Sequence, residues 1–303
     1  MRYFKSILLA VMAAFVGVAQ GQVDESQLLS ATPNLGVVIR ATVNFYRNDG
    51  TTLLRTGNTG AQGVVEVNVG SYRGPVVVEV LGSDNARYYD EAAGTLVPFP
   101  VGSKMYALVP RPGITIAVTP LTDLAYGQAQ AEKLFPLSPC DVLTLNEIVR
   151  SSLAPGLRSI LFVPTRFNSS TTGGSLNNTQ GGRYAVVLAA LARLGAGKPA
   201  PARAVLIALR RDALDGTIDG RIDGGPLVTR PPLYTNLIAE LRREIRDVVA
   251  DYGTAGLPRI VDELVPADRN VDGRGVKEEC RPTPPPTGGT GGTGGTGSGG
   301  GGI

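Results

Sequence analysis

The stretch GVVIRATVNFY, residues 36–46, decides the fold because it is rich in β-branched and aromatic residues. Its second half alternates, so that Val43 and Phe45 fall on one side of a strand and polar residues fall on the other. Asn48-Asp49-Gly50 follows at once, and Asn and Gly tolerate the positive φ angles of tight turns. The sequence therefore predicts a strand that ends in a reverse turn.

Similar short runs continue to about residue 118 and are separated by Gly and Asn. They lie at residues 52–56, 64–69, 75–80, 105–109 and 114–118. Short strands at regular spacing with turn residues between them are typical of two packed sheets. We therefore predict an antiparallel β-sandwich over residues 33–118.

These strands and turns also carry a resemblance to a known family. The chain reads Ala-x-Val-x-Phe-Tyr, Asp-Gly-Thr, Thr-Gly, Gly-x-Val-x-Val-x-Val and Tyr-Arg-Gly-Pro-Val-Val-Val-Glu-Val over residues 36–82. This order resembles the carboxypeptidase regulatory-like domains, which are transthyretin-like β-sandwiches of many secreted bacterial proteins. The resemblance implies a sandwich in an extracellular multidomain protein. It implies no peptidase activity, because the family's regulatory module carries no active site.

From residue 119 the apolar spacing becomes helical. Thr119-Pro120 and Ser138-Pro139 each place a capping side chain before a proline at the first helical position. Further helices are predicted at residues 184–194, 202–214, 233–252 and 257–265. The predicted fold class is therefore α+β in two domains, with the β-sandwich followed by an α-helical bundle over residues 119–280. Within the bundle, residues 168–182 form a polar loop that is either functional or disordered.

Both ends of the chain have a distinctive composition. Residues 1–21 hold Arg2 and Lys5, an apolar run and then small residues, which is the order of a signal peptide cleaved near residues 19–21. The alternative is a membrane anchor, but the run of roughly 13 residues is shorter than the ~20 that a span needs. We expect a secreted, periplasmic or cell-surface protein without a transmembrane segment. Residues 281–303, Pro-rich and then Gly/Thr-rich, are predicted to be disordered unless they order against a partner or against themselves.

Charge and residue types exclude several functions. The chain has 29 basic and 26 acidic side chains, so removing Arg2 and Lys5 leaves a nearly neutral protein that does not suit nucleic acid. Histidine is absent, which excludes Ser-His-Asp and Cys-His catalysis. No phosphate-binding Gly-rich loop is present. A hydrolase that uses paired carboxylates remains open.

The two cysteines, Cys140 and Cys280, predict one disulfide in an oxidising compartment. It would close a loop of about 140 residues, which in the chain-entropy model stabilises by up to ~5 kcal/mol. The alternative is two unpaired thiols.

One metal motif matches by spacing. Asp268, Asn270, Asp272 and Glu279 fit the calcium loop of an EF-hand, whose oxygen ligands wrap a hard cation. A glycine at the eighth position, the absence of a following helix and the lack of a second EF-hand depart from the family, and a polar turn is the alternative. Residues 212–225 repeat Asp-Gly and are either a chain of turns or a second calcium loop.

We therefore expect an exported, non-enzymatic structural, adhesive or assembly protein, with a protein or glycan partner at the cell surface. The first alternative is a calcium-dependent binding module, and the second is a carboxylate-based hydrolase. The sequence leaves the oligomeric state open.

Overall fold

The computed structural model is a mixed α+β protein in which ten strands precede the helices. It describes residues 27–215, 217–218, 221–222, 225–226, 234, 236–254, 257, 261–264 and 271–272. The predicted signal peptide and the Gly/Thr-rich tail lie outside these residues. No helix of the described part is long and apolar enough to cross a membrane.

The first ten strands are β1 (Leu28–Pro33), β2 (Val38–Ile39), β3 (Thr42–Tyr46), β4 (Leu53–Asn58), β5 (Val65–Asn68), β6 (Val76–Leu81), β7 (Arg87–Asp90), β8 (Thr95–Pro98), β9 (Lys104–Val109) and β10 (Thr115–Val118). The helices are α1 (Pro120–Ala131), α2 (Pro139–Leu153), α3 (Gln180–Leu194), α4 (Pro201–Asp212), α5 (Leu237–Tyr252) and α6 (Val261–Leu264). Four two-residue strands complete the description: β11 (Thr217–Ile218), β12 (Arg221–Ile222), β13 (Gly225–Pro226) and β14 (Val271–Asp272).

The ten strands form three sheets. The largest is antiparallel with the order β4-β3-β6-β9, and two three-stranded sheets have the orders β10-β1-β5 and β2-β7-β8. The pair β1–β10 is parallel, which departs from the purely antiparallel arrangement that the sequence predicts.

The predicted strand at residues 36–46 is divided between two sheets. Arg40 has a φ of 59°, which ends β2, and β3 begins two residues later. Thr59 holds this corner, since its carbonyl accepts from the Arg40 amide at 3.0 Å and its hydroxyl accepts from the Ala41 amide at 2.9 Å. The sequence pattern predicts the strand residues here but not the corner, because the residue that fixes it is far along the chain.

Three strands of the structure are not predicted from the sequence. β1 lies before the predicted boundary at residue 33, and its pairing partners are β5 and β10. β7 and β8 have the sequences RYYD and TLVP, which lack a clear apolar alternation. All three are strands because of long-range pairing rather than local propensity.

The four-stranded sheet is buried on both faces at its centre. Val43, Phe45 and Val78 face a core that the strands share, and Val77 and Leu108 belong to the core of the helices. β6 is accordingly buried at five of its six positions. The helices therefore pack directly against the sheet.

The predicted starts of α1 and α2 are confirmed, whereas α3 begins four residues before its predicted start and α5 and α6 begin four residues after theirs. Thr119 and Ser138 are the N-caps of α1 and α2, and each accepts a hydrogen bond from the third residue of its helix. The predicted polar loop at 168–182 ends earlier, because α3 already begins at Gln180 behind the cap residue Thr179. Leu176 anchors the loop, since it is fully buried and forms a bridge with Gly253.

Candidate functional site

Glu79 is the centre of a polar network on the face of the four-stranded sheet that lies toward the helices. Its Oε1 accepts hydrogen bonds from Lys104 Nζ and Tyr106 Oη, both at 2.8 Å. Its Oε2 accepts from Tyr46 Oη at 2.9 Å and from Asn44 Nδ2 at 3.2 Å. The sheet register produces this arrangement, because Asn44 pairs with Glu79 and Glu79 pairs with Tyr106 across three strands.

The network keeps Glu79 ionised. Burial by itself would raise the pKa of this carboxyl, but the hydrogen bonds, first those from Lys104 and Tyr106, outweigh burial and lower it. A carboxyl that is held ionised with four donors around it is a poor general acid. The geometry therefore favours a fixed structural anion at this position over a catalytic residue.

A second buried carboxylate joins the sheet to two helices. Asp123 of α1 accepts from the Tyr106 amide at 2.9 Å and from Arg210 of α4 at 2.6 and 3.0 Å. Arg210 also donates to the Lys104 carbonyl at 2.9 Å and lies over the Tyr106 ring. The same tyrosine ring stacks on Tyr126 with centroids 3.9 Å apart. These contacts fix α1 and α4 against the edge strand β9.

The N-terminus of α4 is capped by residues from β7. Ala200, the N-cap position, makes no capping hydrogen bond of its own. Asp90 is fully buried and accepts from the Ala202 amide at 3.0 Å, and Tyr88 donates to the same carboxylate at 3.1 Å. A carboxylate at this end of a helix satisfies free amides and interacts well with the helix dipole.

Glu91 lies next to this cap in a narrow cavity between strands and helices. The cavity wall is mostly apolar, with Leu188, Leu191 and Val205 among its residues. Burial first, and then the Asp90 charge, raise the pKa of Glu91 to about 8. Asn34 lines the same cavity, and its Oδ1 has no hydrogen-bond donor within the described residues.

An open groove lies between the sheet β2-β7-β8 and residues 166–169, and we call it the Tyr89 groove. Side chains alternate along β7, so Tyr88 is buried in the core while Tyr89 is partly exposed on the other face. Tyr89 pairs with Leu96 of β8, which is 61% exposed, and Val37 lines the groove beside them. The groove encloses about 1030 Å³ including its open mouth. Its floor is therefore an apolar row of Val37, Tyr89 and Leu96.

The wall of the Tyr89 groove is polar. Arg166 donates through Nη1 to the Gln62 side chain and through Nη2 to the Gln62 carbonyl. Asn168, Ser169 and Thr95 add further polar groups. Within the described residues Arg166 forms no ion pair with a carboxylate. The groove thus combines an apolar floor with a cation whose charge no described carboxylate neutralises.

The predicted calcium ligands fall mostly outside the described residues. This applies to Asp268, Asn270 and Glu279, and Asp272 is described only as part of β14. β14 pairs antiparallel with β11, so the backbones of the two acidic stretches adjoin. In the part of the chain that is described, no group of three or more Asp, Glu or Cys side chains is placed to hold a metal ion. At the start of the second stretch, Asp212 accepts from Tyr234 Oη at 3.0 Å in the core.

Cys140 lies in the first turn of α2 and is not a free thiol. Its predicted partner Cys280 lies outside the described residues, so the pairing remains a prediction. No sequence motif singles out Glu79, Asp90 or Glu91. A usable signal was present for Glu79, because a single carboxylate interrupts the apolar run at residues 76–81.

Comparison with known proteins adds no relative: no family model, no curated protein and no solved structure matches this chain.

Proposed function

We propose that this protein is an exported, non-enzymatic binding or assembly protein whose Tyr89 groove holds an extended segment of a partner protein. The observation that carries the proposal is the groove itself, an exposed concave surface with an apolar floor and a few polar groups. Binding sites generally have this composition. Export rests on the predicted signal peptide at residues 1–21.

The chemistry of the groove favours a protein segment over a glycan. Leu96 and Val37 supply aliphatic floor positions, and the chain has no Trp and few aromatics that could stack on sugars. Arg166 lacks a carboxylate partner among the described residues, so an acidic side chain of the ligand would complement it. The favoured partner segment has an apolar side chain close to an Asp or Glu.

The proposal includes a β-sandwich of the carboxypeptidase regulatory-like type as the scaffold. Its support is a single core to which β1, β3, β6, β9 and β10 all contribute apolar side chains. All five of these strands belong to two of the three sheets. The helical bundle would form the second domain, packed against the sheet through Val77 and Leu108.

The test is a binding screen with two variants, each at an exposed residue of the groove. Peptide and glycan arrays are probed with the wild-type protein, with Leu96→Ser and with Arg166→Gln. Leu53→Ser is the matched control, because Leu53 is 54% exposed on the edge strand β4, away from the groove. We expect peptides with acidic and apolar residues to bind, and we expect both groove variants to weaken them at least fivefold while the control does not.

Three outcomes would refute the proposal: retained binding in both groove variants, equal loss in the Leu53→Ser control, or selection of glycans alone. Turnover of any array substrate would instead support the hydrolase alternative.

A calcium-dependent binding module is the second candidate function. The observation that favours it is the backbone pairing of β11 with β14, which joins the two acidic stretches. Asp268, Asn270, Asp272 and Glu279 remain the proposed ligands. Calorimetry on the metal-free protein should show saturable calcium uptake that Asp268→Asn removes, and a chelator should lower Tm. Heats equal to dilution alone would reject this candidate.

A further inference from the structure

A second groove lies between α4 and the turn that joins β8 to β9, and we call it the α4 groove. Residues 101–104 form one wall, and Arg203, Leu206, Ile207 and Arg210 form the other. These four positions recur at helical spacing, so they share one face of α4. The Asp90 cap at the start of α4 and the Asp123–Arg210 pair near its end hold this face against the turn.

The charged side chains that line the α4 groove are all cations: Lys104, Arg203 and Arg210. Two of them have buried partners behind the wall, because Lys104 pairs with Glu79 and Arg210 pairs with Asp123. Arg203 has no carboxylate partner among the described residues, and its polar contact in the groove is a 3.5 Å approach to Ser103 Oγ. The groove therefore carries one positive charge that no described carboxylate neutralises.

Apolar side chains flank that charge. Val101 is 70% exposed and Ile207 is 44% exposed, and Leu206 is buried at the floor. Gly102, with a φ of 84°, forms the turn opposite the helix, and nothing lies within 4 Å of where its Cβ would be. The α4 groove encloses about 580 Å³ including its open mouth.

We propose that the α4 groove binds an aliphatic carboxylate, with Arg203 pairing with the carboxylate and Val101, Leu206 and Ile207 contacting the hydrocarbon chain. An inorganic anion would leave the exposed apolar side chains uncovered, and a neutral aliphatic ligand would leave Arg203 unpaired. A carboxylate on a short hydrocarbon chain satisfies both parts of the site, because a guanidinium pairs with a carboxylate in a fork of two hydrogen bonds. The site is separate from the Tyr89 groove and shares no lining residue with it.

The experiment is an NMR titration of the purified protein with octanoate. Octan-1-ol, which has the hydrocarbon chain but no carboxylate, and acetate, which has the carboxylate but no long chain, are the two comparison ligands. Arg203→Gln removes the charge that has no described carboxylate partner. We expect this variant to fold, because the contact that Arg203 makes at the helix cap is from its backbone amide to Tyr88 and does not involve its side chain. Arg211→Gln is the matched control, since Arg211 is exposed on the same helix but does not line the groove. Ile207→Ser keeps the charge and removes apolar contact.

We expect saturable shifts with octanoate at the backbone amides of residues 101–104 and of α4. Arg203→Gln should weaken the octanoate Kd about tenfold or more, Ile207→Ser should weaken it severalfold, and Arg211→Gln should change it less than twofold. Octan-1-ol or acetate binding as tightly as octanoate would overturn the proposal. So would the absence of saturation by 10 mM octanoate (on the order of the weakest specific binding), or equal effects of the two arginine variants.

Discussion

Replacing Glu91 by Gln should make the protein more stable in alkali. Glu91 is only 7% exposed, and its cavity is lined by apolar side chains and Asn34, with no cation. The protonated carboxyl has an O–H to donate, and Asn34 Oδ1 is the acceptor in that cavity without a donor. The ionised carboxylate would instead be buried with the Asp90 charge beside it. Gln is neutral at every pH and retains N–H donors at this position.

The sign and size of the effect follow from the pKa. Burial and the Asp90 charge raise the pKa of Glu91 from an ordinary 4.5 to about 8, so the folded protein binds this proton more tightly than the unfolded chain. The favourable contribution is complete below about pH 4.5, declines as the pH rises, and is lost at about pH 8 and above. Each pH unit of difference is worth about 1.4 kcal/mol, which gives a total of about 5 kcal/mol.

Urea unfolding between pH 5 and 9 is the assay. Wild-type stability should fall over this window by several kcal/mol, and Glu91→Gln should flatten most of that fall. Glu147→Gln is the matched control with the opposite sign, because the hydrogen bond from Arg150 lowers the pKa of Glu147. The pH dependence that Glu147 contributes therefore lies below about pH 4.5, so Glu147→Gln should leave the slope of stability between pH 5 and 9 unchanged. A Glu91→Gln profile parallel to the wild type from pH 5 to 9 would refute the reasoning, and so would a loss of stability at pH 9.

Three further predictions test the fold. Asp90→Ala removes the acceptor for the Ala202 amide of α4 and for the Ala92 amide just after β7, and should cost about 2–3 kcal/mol in urea unfolding; a cost below about 0.5 kcal/mol would mean that the cap is replaced by solvent. Gly182→Ala places a Cβ 2.0 Å from a backbone carbonyl and should lower Tm by several degrees, whereas Gly60→Ala, with open space at its Cβ, should leave Tm unchanged; similar Tm values for both would contradict the close packing at the start of α3. Reduction should lower Tm if Cys140 and Cys280 are paired, by an amount that corresponds to at most ~5 kcal/mol, and mass spectrometry should find the linked peptides.

The local features of the fold could be predicted from the sequence. Thr119-Pro120 and Ser138-Pro139 predict the starts of α1 and α2, because a capping side chain and a proline both stabilise the first turn of the helix that they begin. β3 and β6 are also predictable, since their β-branched residues favour strands by local propensity alone. The strand β1 could not be found in this way, because LLSATP becomes a strand only through pairing with β5 and β10.

The candidate sites were harder to predict from the sequence than the fold, because they also depend on contacts between distant parts of the chain. Both grooves bring together parts of the chain that are distant in sequence: Arg166 reaches Gln62, and Arg203 approaches Ser103. A charged residue on a helix surface looks ordinary until the structure shows whether an acid lies beside it. Arg210 and Arg203 sit on one face of α4, yet the first is neutralised by Asp123 and the second has no described counterpart.

That difference matters for how the protein is built. Glu79 pairs with Lys104 within the sheet, and Asp123 pairs with Arg210, which fixes α4 and α1 against β9, so both cations are part of the fold. Removing a partner of such a buried pair costs stability, because the remaining charge is left uncompensated. Arg166 and Arg203 have no carboxylate partner among the described residues, so substituting them should change ligand binding far more than the stability of the fold. Function is therefore best sought at these two arginines, each beside exposed apolar side chains, and not at the buried carboxylates.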